Sequence, residues 1–317
     1  MAQAAVPAQC SPCPLGESER LRTPPFTFSA EATMRSPLGV GTALSATSLI
    51  LQLAAVRALT THARITPRCE RPRRPFHVVL GTDDSLYEQW QSRVAYYHYK
   101  KQKMADGPCG DMGGFTRLLH SGREDSLMDE IPTVVVGRLS HKAEAGYAPN
   151  NRPFGLVQLF SAKKQAIVRA RLVEDYVLLI DPDYIFARPM PNLAAEHGLP
   201  VAFDYWYMRI GNHTASREFA RRYLKRARAL ANPGGASLSG ELDDAAVQQV
   251  QPIGGAPVLL RRDLLRQLAP VWLALAMELR RDKSVVAGIT AAGAANDWVT
   301  EMWAYSFAAA GAGVKHL

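Results

Sequence analysis

Three widespread catalytic motifs are missing from this sequence of 317 residues. It has no P-loop, no GxGxxG after a strand and no GxSxG nucleophile elbow. Their absence argues against an ATPase, a classical dehydrogenase and an α/β-hydrolase. The chain is still long enough to form one large domain, or two small ones, around a sizeable core.

Cysteine is scarce, with only four residues in the whole chain. Cys10 and Cys13 form a lone CxxC with no second pair, so we expect no zinc site there. Cys69 and Cys109 could pair in an oxidising compartment. The sequence does not show whether their separation in space suits a disulfide.

The charge distribution also gives no strong indication of nucleic-acid binding. The net charge is +8, but the positive residues are concentrated in two groups, at 57–74 and 217–228. A solvated surface or a groove for an anionic phosphate ligand explains such groups as well as nucleic acid does. We therefore expect no nucleic-acid partner.

The N-terminal part of the chain differs in composition from the rest. Residues 1–35 are rich in Pro, Ala and Ser, which predicts a disordered leader. No charged residue occurs at 36–56, and spanning a bilayer core takes about 20 apolar residues. We predict a signal anchor at 36–57 and a basic stem at 58–75. A cleaved signal peptide and a transit peptide remain alternatives, because the positive cluster follows the segment.

Beyond Pro75, short apolar runs alternate with segments of helical periodicity. This alternation predicts an α/β fold with a mostly parallel central sheet flanked by helices, and ligands at the carboxyl ends of its strands. The predicted strands are 76–82, 131–136, 176–180, 199–203 and 256–260, and the predicted helices are 86–103, 154–171, 215–230, 263–281 and 297–310.

Two shorter features complete this assignment. Residues 108–114 are typical of a turn. In the helix at 86–103, Trp90, Val94, Tyr97 and Lys101 recur at helical spacing. We expect this stripe to pack into the core, because aromatic residues at that spacing are more often core than ligand contacts.

The clearest chemical feature is Asp181-Pro182-Asp183, directly after the apolar run at 176–180. Two carboxylates one residue apart at a strand end can face one small volume, and Mn²⁺ and Mg²⁺ favour carboxylate oxygen. Such a cation would neutralise the diphosphate of a nucleotide-sugar and stabilise its leaving group. A solvated turn is the alternative.

Further candidate residues give weaker signals. Thr82, Asp83 and Asp84 end the first predicted strand and could reach a base or ribose, although ordinary loop polarity is at least as good an explanation. Arg117, His120 and Arg123 could contact phosphate, or could simply lie on the surface.

Two more candidates lie near the C-terminal end. Glu301 could be an acid, a base or an acceptor-binding carboxylate, and a helix-surface Glu is the alternative. His316 could complete a metal shell with its imidazole, and a frayed chain end is the alternative.

Several sequence blocks resemble those of the plant and green-algal hydroxyproline O-arabinosyltransferases. They occur in the family's order over nearly all of 76–316. The related peptidyl-serine galactosyltransferases are less similar in the RLLHSGR, MDEIPT and NRP blocks. The matching stretches include GDMGGFTRLLHSGREDSLMDEIPTVVV (110–136), NNRPFGLVQ (150–158), YVLLIDPDYIFARPMPNLA (176–194), QPIGGAPVLLRRDLLRQLAPVW (251–272) and DWVTEMWAYSFAAAGAGVKH (297–316).

This resemblance implies a GT-A-like catalytic domain at 76–317, held in the Golgi membrane by a type II anchor with the domain in the lumen. The implied donor is UDP-β-L-arabinofuranose, used with Mn²⁺ or Mg²⁺ and with retention at the anomeric carbon. The implied acceptor is the hydroxyl of hydroxyproline in a cell-wall protein or secreted peptide.

The resemblance also places particular residues. Asp181 and Asp183 match the family's acidic pair, so we expect both to hold the metal and Asp183 to act in catalysis. Arg117, Asn151 and Arg152 match family motif positions, and we expect them to bind the donor.

The sequence departs from the family pattern at several points. Gln251 stands where Asp is usual, Ser92 replaces a frequent Cys, and family members continue beyond the position of Leu317. A C-terminally truncated or inactive chain is therefore an expectation to set beside the enzyme. Three different functions also stay open at this point: a peptidyl-serine galactosyltransferase, an inactive subunit that binds sugar-nucleotide or glycoprotein, and a soluble plastid protein.

Overall fold

The computed structural model describes residues 69–211, 214–234, 242–282, 284, 285, 289 and 297–317. The predicted leader, the signal anchor and most of the basic stem lie outside these residues. Within the described part of the chain, no helix combines the length and the apolar character that a membrane span requires.

A six-stranded sheet forms the centre of the fold, with the strand order β3-β2-β1-β4-β6-β5. β1 pairs in parallel with β2 and β4, and β2 pairs in parallel with β3. β6 runs antiparallel to both β4 and β5. The strands are β1 (Phe76–Thr82), β2 (Met112–Leu119), β3 (Thr133–Val135), β4 (Tyr176–Ile180), β5 (Val201–Asp204) and β6 (Ile253–Arg261).

The expectation of a mostly parallel sheet is wrong, because the sheet is mixed. The α/β class itself is confirmed. An apolar run such as β4 or β6 is buried in either orientation, so its composition does not give its direction. The antiparallel half of the sheet could not be read from the alternation of strands and helices.

Helices cover both faces of the sheet and create two hydrophobic cores. The strands divide their side chains between these cores with the period of two that strands impose. Val79 faces the core formed with α3, α6, α8 and α9, whereas Val78 and Leu80 face the core formed with α1. The described helices include α1 (Leu86–Asp106), α2 (His141–Glu144), α3 (Asn151–Leu159), α4 (Gln165–Arg171), α5 (Leu193–His197), α6 (Thr214–Ala231), α7 (Asp244–Gln248), α8 (Arg262–Arg281) and α9 (Thr300–Gly311).

β2 begins inside a segment that we expected to be a turn. Gly113 and Gly114 belong to the strand, although glycine is depleted in strands. A Cβ on Gly113 would lie 2.6 Å from the carbonyl oxygen of Phe76, and one on Gly114 would lie 2.4 Å from Nδ1 of His77. The glycines therefore allow β2 to approach β1 closely, and this need is invisible in the sequence.

Two helix predictions also require correction. The helix expected at 154–171 is two helices, α3 and α4, separated by a 3₁₀ turn at Ala162–Lys164. On α1, Trp90 and Tyr97 are 59% and 61% exposed, so the aromatic stripe does not pack into the core. The buried side of α1 instead carries Ala95 and Tyr99. Helical spacing shows which residues share a face but not which face turns inward.

A disulfide joins Cys69 to Cys109, with their Cα atoms 5.5 Å apart. The pairing that the sequence left open is therefore present. It links the segment before β1 to the loop after α1, and so closes a covalent loop around both elements.

A buried ion pair connects β2 to the loop that follows it. Arg117 is fully buried, and its two terminal nitrogens lie 2.8 Å and 2.5 Å from the carboxylate oxygens of Asp125. Its Nε donates to the hydroxyl of Thr133 at 3.0 Å. These hydrogen bonds hold the pKa of Asp125 below its usual range. Arg117 thus fastens β2, β3 and the intervening loop together.

We expect Asp125→Ala to lower the free energy of unfolding by about 3–5 kcal/mol, because it leaves the buried guanidinium of Arg117 without its counter-charge. The measurement is urea-induced unfolding followed by circular dichroism. The control is Glu130→Ala, which breaks a pair with Arg93 that is about half exposed on both sides. Surface pairs contribute little, so the control should unfold like the wild type. Equal effects of the two variants would contradict the structural role of Arg117.

Candidate active site

A cavity of about 540 Å³ lies at the carboxyl ends of β1 and β4. These strands are parallel neighbours, with Leu80 paired to Ile180 just before the cavity. The segment after β1 contributes Asp83, and the segment after β4 contributes Asp181. This edge is where open α/β sheets bind ligands, because the loops that follow adjacent strands converge there.

Most of the residues that the sequence nominated meet in this cavity. Asp84, Arg117, Arg123 and His316 are the exceptions and do not line it. The nominated lining residues are Thr82, Asp83, His120, Asn151, Arg152, Asp181, Asp183 and Glu301.

Arg152 joins two of the acidic residues. Its Nη1 lies 2.7 Å from Oε2 of Glu301, and its Nη2 donates to Oδ1 of Asp181. Only 15% of the Arg152 side chain is exposed. Burial opposes a charged guanidinium, but the two carboxylates outweigh it and raise the pKa of Arg152. Arg152 is therefore a charged bridge between the end of β4 and the start of α9.

Glu301 is almost completely buried, at 1% exposure, so the alternative of a helix-surface Glu is wrong. Its backbone is held on both sides: its N–H donates to the hydroxyl of Tyr147 at 3.1 Å, and its carbonyl accepts from Nε1 of Trp272 at 3.1 Å. Burial raises the pKa of Glu301 to about 7, although Arg152 opposes the shift. Within the described residues its Oε1 has no hydrogen-bond partner. Glu301 can therefore change its charge near neutral pH.

His120 is a neutral group in the cavity wall. Burial, together with the positive charges of Arg152 and Arg138, lowers the pKa of His120 to about 3. The ring lies against α3, where a Cβ on Gly155 would be 2.7 Å from its Cδ2 and Nε2. A neutral imidazole can exchange hydrogen bonds with a ligand but supplies no positive charge to a phosphate.

Asp181 and Asp183 both line the cavity. The lining carries five carboxylates against the two arginines, Arg138 and Arg152. Arg138 is also paired with Glu144, which lies outside the lining. The five acidic residues are Asp83, Glu88, Asp181, Asp183 and Glu301.

This surplus of negative charge favours a cation. Among the described residues, no three His, Cys, Asp or Glu side chains are close enough together to enclose a metal ion by themselves. Mg²⁺ commonly takes one or two protein carboxylates and completes its shell with water and substrate phosphates. Asp181 and Asp183 fit that arrangement, which needs no third protein ligand.

Glu88 is a site residue that the sequence reasoning missed. Its Oε2 accepts from the N–H of Asp83 at 2.5 Å and from the hydroxyl of Thr82 at 2.8 Å. Burial raises the pKa of Glu88. The spacing Ser85-x-x-Glu88 is that of a capping box, and Ser85 does cap α1. That pattern was a usable signal, but it predicts a cap and not the contact with Thr82.

The sequence analysis also did not predict the aromatic wall, which is formed by the aromatic residues that line the cavity. The hydroxyls of Tyr184 and Tyr205 lie 3.3 Å apart, and the Tyr205 hydroxyl donates to the carbonyl of Ala256 at 2.8 Å. Such side chains offer a flat apolar face and a polar end to a ligand. The run DYWYM at 204–208 was the signal in the sequence. The aromatic lining residues are Tyr87, Tyr184, Tyr205, Tyr207 and Trp298.

Asn151 and His316 have contacts that keep the fold in place. Oδ1 of Asn151 accepts from the N–H of Leu139 at 2.8 Å, and this holds the loop beside the cavity. His316 is buried, and its Nε2 lies 2.9 Å from the hydroxyl of Tyr305. The backbone N–H of His316 donates to Oε1 of Gln251 at 2.7 Å. His316 is therefore not frayed, and the departure at Gln251 has a structural partner.

Comparison with known proteins gives a consistent family. A family model described as the hydroxyproline O-arabinosyltransferase family N-terminal domain matches residues 76–317. A hydroxyproline O-arabinosyltransferase of Medicago truncatula is 37% identical over 243 residues, which cover 77% of this chain and 58% of the relative. Hydroxyproline O-arabinosyltransferase 3 of Arabidopsis thaliana is also 37% identical over 243 residues, with the same coverage.

A more distant relative is the peptidyl serine alpha-galactosyltransferase of Chlamydomonas reinhardtii. It is 27% identical over 254 residues, which cover 76% of this chain and 30% of that protein. No solved structure matches the chain. The chain spans less than two thirds of the length of the relatives it matches, at 58% of each of the two named above. On the match over residues 76–317, the chain belongs to the hydroxyproline O-arabinosyltransferase family.

Proposed function

We propose that the chain is a metal-dependent glycosyltransferase with a GT-A-like fold. In this proposal it transfers L-arabinofuranose from UDP-β-L-arabinofuranose to the hydroxyl of hydroxyproline in secreted or cell-wall proteins. The relatives named hydroxyproline O-arabinosyltransferases support the reaction. The observation that carries the proposal is the shared cavity, in which Asp181, Asp183, Arg152 and Glu301 meet at the ends of parallel strands.

The location is part of the same proposal. We propose a Golgi membrane protein anchored by residues 36–57, with the domain at 76–317 in the lumen. The Cys69–Cys109 disulfide supports an oxidising compartment, because disulfides are rare in the cytosol.

The acidic pair would hold the cation. In the proposal, Asp181 and Asp183 bind Mn²⁺ or Mg²⁺, which when bound neutralises the donor diphosphate and the charge that grows on the leaving group. Arg152, with its planar fork of donors, is placed to contact the same phosphates. The aromatic wall shields the reacting bond from water and provides faces for the base and sugar.

The remaining groups would act on the sugar and the acceptor. Departure of the diphosphate leaves positive charge on the sugar ring, as in other glycosyl transfers. The ionised carboxylate of Glu301 would stabilise that charge. In the proposed retaining reaction the acceptor oxygen forms its bond on the face that the phosphate leaves. The acceptor proton passes to the departing phosphate oxygen, so no separate protein base is required.

A second candidate function is peptidyl-serine galactosylation, which the Chlamydomonas relative favours. It uses the same cavity and the same residues, with a hexose in place of the pentose. A third candidate is an inactive subunit that binds sugar-nucleotide or glycoprotein.

We expect a donor-by-acceptor panel to separate these functions. Purified protein with Mn²⁺ is given UDP-arabinofuranose or UDP-galactose and either a hydroxyproline or a serine peptide, and products are measured by mass spectrometry. The proposal requires a gain of one pentose on the hydroxyproline peptide. Transfer of a hexose to serine would support the galactosyltransferase. Binding of UDP without any transfer would indicate the inactive subunit.

We expect Asp183→Ala to abolish the enhancement of UDP binding by Mn²⁺, because it removes one of two cation ligands. The fold should survive, since Asp183 is exposed. Isothermal titration of UDP with and without Mn²⁺ measures the effect. The control is Asp84→Ala, which removes a nearby carboxylate that is paired with Arg123 and lies outside the lining. If Asp183→Ala retains the Mn²⁺ enhancement, the cation is not held there.

We expect the transfer rate to fall as the pH drops through about 7, because burial raises the pKa of Glu301 to about that value and the carboxylate is the active form. Initial rates at saturating donor over pH 5–9 provide the profile. Glu301→Gln should lower the rate and remove this limb, since the amide cannot ionise. An unchanged limb in Glu301→Gln would assign the titration to another group.

A further inference from the structure

Arg152 occupies a carboxylate oxygen that the proposed cation needs. Its Nη2 donates to Oδ1 of Asp181, while Nη1 stays 2.7 Å from Glu301. A cation on Asp181 would therefore meet a guanidinium already bound to that carboxylate. The Arg152 side chain is only 15% exposed, and like charges repel more strongly in a partly buried site than in bulk water, so the two cannot share Asp181 without cost.

The two lining arginines differ in where their partners lie. Arg138 pairs with Glu144, which is outside the cavity, with nitrogen-to-oxygen distances of 2.8 Å and 2.7 Å. The acidic partners of Arg152 both line the cavity. A ligand that competes for those carboxylates must therefore displace Arg152 and can leave Arg138 in place.

Arg152 can keep its contact with Glu301 while its contact with Asp181 changes. Glu301 is held by Tyr147 and Trp272 through its own backbone, whereas Asp181 is on the segment after β4 and is 27% exposed. A guanidinium has several donors in one plane, and it can keep one on Glu301 while another changes partner. The preferred new partner is a phosphate oxygen, which guanidinium binds well.

We propose that Arg152 is a positioning residue that couples cation binding to nucleotide binding. Without nucleotide it neutralises Asp181 and opposes the cation. When a nucleoside diphosphate enters, Arg152 would move from Asp181 to a diphosphate oxygen while retaining Glu301, and the carboxylate of Asp181 would then be free to hold a cation. The inference rests on the proposed metal-dependent function and adds to it an order, in which nucleotide and cation bind as a pair.

Thermodynamic linkage makes this arrangement measurable. If UDP raises the affinity for Mn²⁺ by some factor, Mn²⁺ raises the affinity for UDP by the same factor. Part of that factor in the wild type comes from moving Arg152 off Asp181. Removing Arg152 should therefore strengthen the binding of Mn²⁺ alone and reduce the coupling between the two ligands.

The experiment measures Mn²⁺ binding with and without UDP, by isothermal titration and by the electron paramagnetic resonance signal of free Mn²⁺. The variants are Arg152→Gln, Arg152→Lys and the control Arg138→Gln. We expect Arg152→Gln to bind Mn²⁺ alone more tightly by a factor in the range of about 5- to 150-fold that couplings span. Its UDP coupling factor should fall below that of the wild type, while Arg138→Gln should keep the wild-type factor.

Arg152→Lys covers the case in which Arg152→Gln fails to fold. A lysine keeps the positive charge but cannot bridge Asp181 and Glu301 as the planar fork does, so the coupling factor should again fall. Wild-type coupling in a folded Arg152 variant, or an equal loss in Arg138→Gln, would overturn the inference and leave the proposed function standing. A wild-type chain that binds no Mn²⁺ even with UDP would instead refute the metal role, and the inference with it.

Discussion

The bridge that Arg152 makes between Asp181 and Glu301 is the contact on which the cavity depends. The three side chains come from the start of α3, the end of β4 and the first turn of α9, which are far apart in sequence. Buried charges are tolerated only when they are paired. Removing one partner leaves the others buried without a counter-charge, which is strongly destabilising. Without a ligand, the bridge therefore holds these elements together where the sheet meets its helices.

The groups around the bridge divide their tasks by charge. His120 is neutral because burial and two arginines disfavour its protonation, whereas Glu301 titrates near neutral pH because burial and Arg152 act in opposite directions. Asp183 is more exposed and makes no ion pair within the described residues. One cavity thus holds a neutral hydrogen-bonding group, a titratable carboxylate and an exposed carboxylate. This variety suits the charged sugar-nucleotide ligand that we propose.

The sequence predicted the part of this arrangement that depends on local pattern. The apolar runs of β1 and β4 are strands, and the acidic pair after β4 does face the cavity. Features that depend on distant partners could not be predicted. β2 was not predicted because its glycines are needed only for the close approach of β1, which the sequence does not show. To predict the ion pair of Arg117, one must know that the loop folds Asp125 back onto Arg117. A match to a family motif gives no such information.

Burial was the second quantity that local pattern could not supply. Glu301 is of a residue type usually found at the surface, yet it is buried, because α9 packs between α8, α6 and β6. Trp90 is of a residue type usually found in the core, yet it is exposed. In each case the tertiary packing of a whole helix decides the outcome, and propensity is only a weak guide to it. A residue role carried over from a family therefore needs the contacts of the folded chain to support it.

The five tryptophans of the chain separate into two optical environments. Trp272 and Trp303 are fully enclosed, whereas Trp90, Trp206 and Trp298 are more than half exposed. Trp298 alone among them borders the cavity. Its fluorescence can therefore be quenched by solutes from outside and changed by a ligand from within. The protein therefore carries its own unlabelled reporter of cavity occupancy.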